Sequence, residues 1–250
     1  MSGHSKWSTI KRKKAKTDAQ KGKIFTRLIK EITVAARTGG GDENANAALR
    51  SAIAAAKAAN MPAVNIERAI KRGTGELPGV VYERNTYEGY GPGGCALLIE
   101  VLTDNKNRTV ADIRHILSRH NGSLGETGCV SWIFEKKGIL TVNADQISED
   151  ALLELVLEAG ADDMRRDDDT YEIVAQPSNL EEIKRVLTEH NIAIESAEVT
   201  MHPKNVVKME EKHAEQVLRL MEALEEHDDV NNVYSNFDID SELLARLERA

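Results

Sequence analysis

The stretch "EKHAEQVLRLMEALEEH", residues 211 to 227, is followed almost at once by "NNVYSNFDI", residues 231 to 239. In the first, Ala214, Val217, Leu218, Met221 and Leu224 recur at helical spacing, an apolar stripe that must be buried against something. The second reads as a short strand, and one strand cannot stand alone. Both must return to a sheet laid down earlier in the chain, and that requirement sets the organisation of the whole.

Upstream, residues 80 to 90 and 95 to 102 read as strands. "RTVADIRHILSRHNG" reads as a helix begun at Thr109 and closed near Gly122, and "CVSWIFE", residues 129 to 135, as a strand. This is an α+β unit that lacks its last helix and strand. From Gly138 a second unit begins: strand "GILTVN", a helix from Ser148 to Ala159, strand "TYEIVAQ", a helix from Asn179 to His190 and strand "ESAEVTM". Ser178 with Glu181 reads as a capping box for the latter helix. The acidic run "RRDDDT", residues 165 to 170, lacks the ligand spacing of a calcium loop and reads as a solvated turn. Because the tail must complete the first unit, the expected middle domain is discontinuous, residues 74 to 137 plus 204 to 240. Residues 138 to 203 are inserted into it, and 241 to 250 form a C-terminal tail.

The segment before it differs in charge. Residues 1 to 72 hold 16 Lys and Arg against 5 Asp and Glu, a balance of +11, which leaves −19 for the rest of a chain whose net charge is −8. Such asymmetry points to a polyanion-binding portion joined to a separately folded acidic remainder. From Lys23 to Arg37, Ile24, Phe25, Leu28, Ile29, Ile32 and Ala36 fall on one helical face, and Lys23, Arg27, Lys30 and Arg37 form a cationic ridge opposite. "TGGGDEN" stops this helix. An alanine-rich helix follows from Asn46 to Asn60, and a third runs from Pro62 to Gly73, so residues 1 to 73 read as a basic arm and a helical bundle.

The arm, "HSKWSTIKRKKAK" at residues 4 to 16, has little apolar periodicity. Lys6, Lys11, Arg12, Lys13, Lys14 and Lys16 suit phosphates, and Trp7 either stacks on an unpaired base or packs on the bundle. With Lys23, Arg27 and Lys30 of the ridge, these are the candidate nucleic-acid contacts.

Two loops offer further contacts. "EGYGPGG", residues 88 to 94, is followed by a strand and not a helix, so it is not a dinucleotide fingerprint. It reads as a tight connection between strands or as a backbone surface flanked by Tyr90. "TDNKNRT", residues 103 to 109, places Asn105, Lys106, Asn107 and Arg108 at a strand-to-helix corner, either a polar turn or a ligand contact. Cys95 and Cys129 lack metal or redox spacing and read as reduced, buried apolar residues. The histidines and serines form no catalytic or metal-binding motif, so no enzyme, cofactor, metal or small-molecule substrate is expected. No apolar run is long enough for a membrane helix and no secretory signal is legible, which makes the cytoplasm the expected compartment.

"GHSKWSTIKRKKAKTDAQKGKIFTRLIKEI", "EGYGPGG", "TDNKNRT" and "GSLGETGCVSWIFEKKG", in that order along the chain, resemble the YebC/PmpR family, which includes mitochondrial translational activators of cytochrome oxidase. The resemblance covers essentially the whole chain. It implies an α+β protein of three domains, an N-terminal helical bundle followed by two ferredoxin-like α+β domains, the last inserted into the middle one. It also implies a regulator of gene expression. The first expectation is a DNA-binding transcriptional regulator whose partner is promoter DNA. The alternative is a ribosome-associated translation factor that binds ribosomal RNA and relieves stalling at proline-rich sequences. A protein-only adaptor using the acidic face is a third class. Without a legible recognition helix, the residues themselves fit RNA or shape recognition as well as base reading.

Overall fold

The computed structural model describes residues 18 to 247 apart from residue 168. Lys6, Trp7, Lys11, Arg12, Lys13, Lys14 and Lys16 lie outside the described residues. In chain order the elements are helices α1 (Asp18–Gly39), α2 (Ala47–Ala58) and α3 (Ala63–Gly73), then strands β1 (Glu83–Tyr90) and β2 (Ala96–Thr103). Helix α4 (Lys106–Arg119) and strands β3 (Ser123–Leu124) and β4 (Phe134–Asn143) follow. Next come α5 (Glu149–Glu158), β5 (Ala161–Asp167), β6 (Thr170–Ala175), α6 (Leu180–Glu189) and β7 (Ile194–Pro203). The chain closes with β8 (Val207–Lys208), α7 (Glu211–Glu226), β9 (Val230–Ser235), β10 (Phe237–Asp238) and α8 (Ser241–Leu247).

The three helices of the bundle meet on Ile32, Ala36, Leu49, Ile53, Ala56, Ile66 and Ala69, all buried. Asn46 caps α2 by accepting the Leu49 amide at 3.1 Å, and its side-chain amide ties the preceding turn to Ala35 and Gly40. Helices α1 and α3 touch at Gly73, where a Cβ would stand 2.5 Å from the Thr33 carbonyl oxygen. Only glycine permits that approach.

The middle sheet is antiparallel with strand order β3-β1-β2-β9. Its core is made of Leu97, Ile99, Val101 and Val233 from the strands, Ile113 and Leu117 from α4, and Val217, Leu220 and Leu224 from α7. Each such side chain contributes about 1.5–3 kcal/mol on burial, which is what holds the C-terminal stretch to strands laid down more than a hundred residues earlier. The other sheet has order β5-β6-β4-β7, with α5 and α6 packed on one face through Leu152, Val156, Ile183 and Leu187. Its four strands follow a ferredoxin-like order, and the middle sheet repeats that order with β1 taking the place of the third strand.

Several elements depart from the sequence reading. "CVSWIFE" is not one strand: Ser131–Ile133 is a 3₁₀ turn and β4 begins at Phe134. The cause is Glu88, whose carboxylate accepts the amides of Gly128, Val130 and Ser131 at 2.7–2.8 Å and so removes them from any ladder. Helix α4 starts at Lys106 because Asn105, not Thr109, accepts the amide of Arg108. The Ser178–Glu181 capping box does not form: Ser178 donates to Asn179 and Glu181 pairs with Lys184. Arg165 and Arg166 belong to β5 and not to a turn. The tail after residue 240 forms α8, whose Leu243 enters the middle core.

Candidate nucleic-acid interface

The ridge of α1 faces the C-terminal end of α7, where the last carbonyls of a helix lack amide partners and carry partial negative charge. Lys23 donates to the Glu226 carbonyl at 3.4 Å and Arg27 to the Glu225 carbonyl. Burial pushes the Arg27 guanidinium below its usual value, against the opposing pull of Glu225 and Asp228. Lys30 is buried. Its ammonium donates to the Asp228 carbonyl at 2.9 Å and the Leu102 carbonyl at 3.4 Å, and pairs with the Asp229 carboxylate at 2.9 Å. It also lies 5.3 Å from the centre of the Tyr82 ring. Lys23, Arg27 and Lys30, which the sequence offers as phosphate contacts, here donate across the junction of the bundle with the middle domain, Lys30 from a buried position and Lys23 from an exposed one.

The "TDNKNRT" corner reaches the same carboxylate. Arg108 pairs with Asp229 at 2.7 Å and with Asp104 at 2.8 Å, while the hydroxyls of Thr103 and Thr109 donate to Asp229 at 3.1 and 2.8 Å. Asp229 therefore gathers Lys30 from the bundle and Arg108 from the corner, two candidate residues more than seventy positions apart in the chain. Burial works to raise its pKa, yet the bonds from Lys30, Arg108 and Thr109 outweigh burial and hold the carboxyl well below the usual range. Lys106 pairs with Glu83 at 2.6 Å, Asn105 serves as the helix cap, and Asn107 is exposed.

Tyr90 leads to a different surface. Its hydroxyl donates to the Cys129 carbonyl at 3.3 Å, and the indole of Trp132 donates to that same carbonyl at 3.0 Å. Tyr90 is 40% exposed and Trp132 63%, the two exposed aromatic rings among the described residues. Both rings spend their polar hydrogen on one protein oxygen and leave apolar surface to solvent. The loop beneath is pinned by Glu88, in which burial opposes ionisation but the amides of Gly128, Val130 and Ser131 prevail and lower the pKa. Sequence reasoning missed Asp229, Glu88 and Trp132. Trp132 carried no signal of its own, because it sits in the apolar run "CVSWIFE", which reads as a strand.

Cys95 is buried, and burial pushes its thiol up to about 11; Cys129 is only half-buried. Among the described residues no group of three or more His, Cys, Asp or Glu side chains is placed to hold a metal ion, and no helix is long and apolar enough to cross a membrane.

A basic helical bundle clamped to two ferredoxin-like units, the second inserted into the first, defines a class of three-domain α+β proteins. The chain belongs to the TACO1/YebC family: residues 5–76 match its N-terminal domain and residues 82–237 its second and third domains. It is 58% identical over 248 residues to a probable transcriptional regulatory protein of Desulfotalea psychrophila, covering 99% of both chains. It is 57% identical over 242 residues to one of Pelotomaculum thermopropionicum, covering 96% of this chain and all of the relative. The crystal structure of a conserved hypothetical protein from Aquifex aeolicus, 47% identical, superposes with a TM-score of 0.78 over 92% of this chain and 96% of that one.

Proposed function

We propose that the protein is a nucleic-acid-binding regulator of gene expression, acting in the cytoplasm without a cofactor or small-molecule substrate. The observation that carries this reading is the segregation of charge, +11 over the first 72 residues against −19 over the rest. A polyanion is drawn to the arm and bundle and repelled by the acidic domains, so it approaches from one end.

The first reading is a DNA-binding transcriptional regulator, supported by the names of the relatives. A second, a translation factor acting on ribosomal RNA, is favoured by one specific observation, the anchored pair Tyr90 and Trp132. Exposed rings suit unpaired bases, which folded RNA offers and a closed duplex does not.

A competition decides between them: labelled protein is offered promoter duplex, scrambled duplex and purified ribosomes at one ionic strength. A promoter regulator should prefer its own duplex by roughly a thousandfold or more, since base contacts and deformation energy add to the phosphate contribution. Retention on ribosomes with no preference among duplexes establishes the translational reading. Binding to none of the three refutes both.

A further inference from the structure

The C-terminal ends of α1 and α3, with the linker that follows α3, enclose a cleft of about 260 Å³. Arg37 and Arg72 line it together with Val34, Leu77, Gly79 and Val80, and no Asp or Glu does. In a chain with 41 acidic residues and 33 basic ones, a wall with two guanidinium groups and no carboxylate calls for a counter-charge from outside. Both arginines are exposed, and neither forms an ion pair among the described residues. The carboxylate that feels Arg37, Glu83, is held by Lys106 at 2.6 Å.

The linker is similarly unspent. The amides of Gly79, Val80 and Val81 make no hydrogen bond among the described residues. A Cβ at Gly79 would stand 3.3 Å from Cγ of Arg72, so glycine lets the linker lie against the arginine's stem. Each arginine sits in the last turn of its helix, where the dipole favours a cation by about 0.3–1 kcal/mol. That accounts for each arginine alone. It does not account for two of them sharing one cleft from which carboxylates are absent.

We propose that this cleft holds a phosphodiester of the bound nucleic-acid backbone. Arg37 and Arg72 donate to its non-bridging oxygens, the linker amides add neutral donors, and Val34 and Leu77 give the sugar an apolar wall. The proposal rests on the nucleic-acid reading above and names where the bundle, with Arg27 and Lys30 of its ridge turned to the middle domain and Arg37 left exposed, meets the backbone.

The test is anisotropy titration of the full-length protein with a short labelled oligouridylate across a salt series. Arg37→Gln with Arg72→Gln should lower the slope of log affinity against log salt by about 1.4, about 25-fold in affinity at about 0.1 M salt on a 1 M reference. Val80→Glu, at a side chain 51% exposed and outside the core, should weaken binding as well. Circular dichroism should show all variants folded. Wild-type affinity and slope in these variants, while neutralising Lys11, Arg12, Lys13 and Lys14 weakens binding, would overturn the cleft and leave the nucleic-acid reading standing. A wild-type protein that binds neither oligouridylate nor duplex would bring both down. Uridine monophosphate serves as competitor: little displacement at equal phosphate concentration supports a backbone site, and displacement as strong as by unlabelled oligouridylate overturns it in favour of a free-nucleotide site.

Discussion

The ammonium of Lys30 lies 2.9 Å from the carboxylate of Asp229, and both side chains are more than nine-tenths buried. A pair so placed is costly to break, because removing one member leaves the other charged and out of water. The two members are not equivalent. Asp229 also serves Arg108, Thr103 and Thr109, so Asp229→Ala strands several donors, whereas Lys30→Met leaves Asp229 paired with Arg108. Asp229→Ala should cost about 3–5 kcal/mol and Lys30→Met less, read from urea unfolding. Equal losses would show that Arg108 contributes nothing to the cluster.

The same carboxylate makes stability depend on acid. Its folded pKa is depressed, so its contribution is complete above the unfolded value of about 3.9 and is lost as pH falls toward the folded one. Asp229→Asn should be less stable than wild type at neutral pH and should lose less on acidification from about pH 5 to about pH 2. Parallel stability curves for the two proteins would assign the acid sensitivity elsewhere.

Neutralising Lys11, Arg12, Lys13 and Lys14 with glutamine should weaken binding to DNA and RNA alike while leaving the unfolding midpoint in place. Each lost duplex contact should lower the log–log salt slope by about 0.9. Unchanged affinity at equal salt would remove the arm from the interface.

Trp132→Ala should reduce affinity for single-stranded oligonucleotide by about 1–3 kcal/mol, the range for one stacked base, and leave duplex binding nearly untouched. Equal losses on both targets would mean that the ring is a packing element and not a stacking surface.

Residues 138 to 203 should be removable. The amide of Lys204 donates to the Ile133 carbonyl at 2.9 Å, so the chain leaves and re-enters the middle domain at neighbouring points that a short Gly-Ser linker can join. The shortened protein should remain monodisperse and unfold cooperatively; an aggregating product would contradict this division of the chain.

The stripe of α7 required a sheet, and β2 was available to supply it, so the discontinuous architecture could be read from apolar spacing alone. The fate of the ridge could not. Helical periodicity aligns Lys23, Arg27 and Lys30, but cations suit phosphate oxygens and the open carbonyl end of another helix equally well, and only the docked fold distinguishes them. Asp229 was hidden for a related reason. It sits in "EEHDDVNN", where neighbouring acids suggest a solvated turn, and its burial comes from α1 packing over it. Strand β5 escaped because Asp162, Asp163, Arg165 and Arg166 lie on an edge strand exposed enough to leave no apolar alternation.

The inserted domain joins the rest through β4 and β7, paired from Phe134 opposite Pro203 onward, with Phe134 and Met201 gripped by the hydrophobic cluster on the second face of the middle sheet. A tether of one strand would leave the domain free to swivel. Two hydrogen-bonded strands make a ribbon, so the inserted domain is held at two chain crossings and by a ladder from Phe134 opposite Pro203 to Val142 opposite Ile194. Beside that ribbon, Lys137, Asp162, His202 and Lys204 line a gap of about 460 Å³. The width of that gap is therefore set by the ribbon, while Lys30 ties the bundle to the middle domain through Asp229.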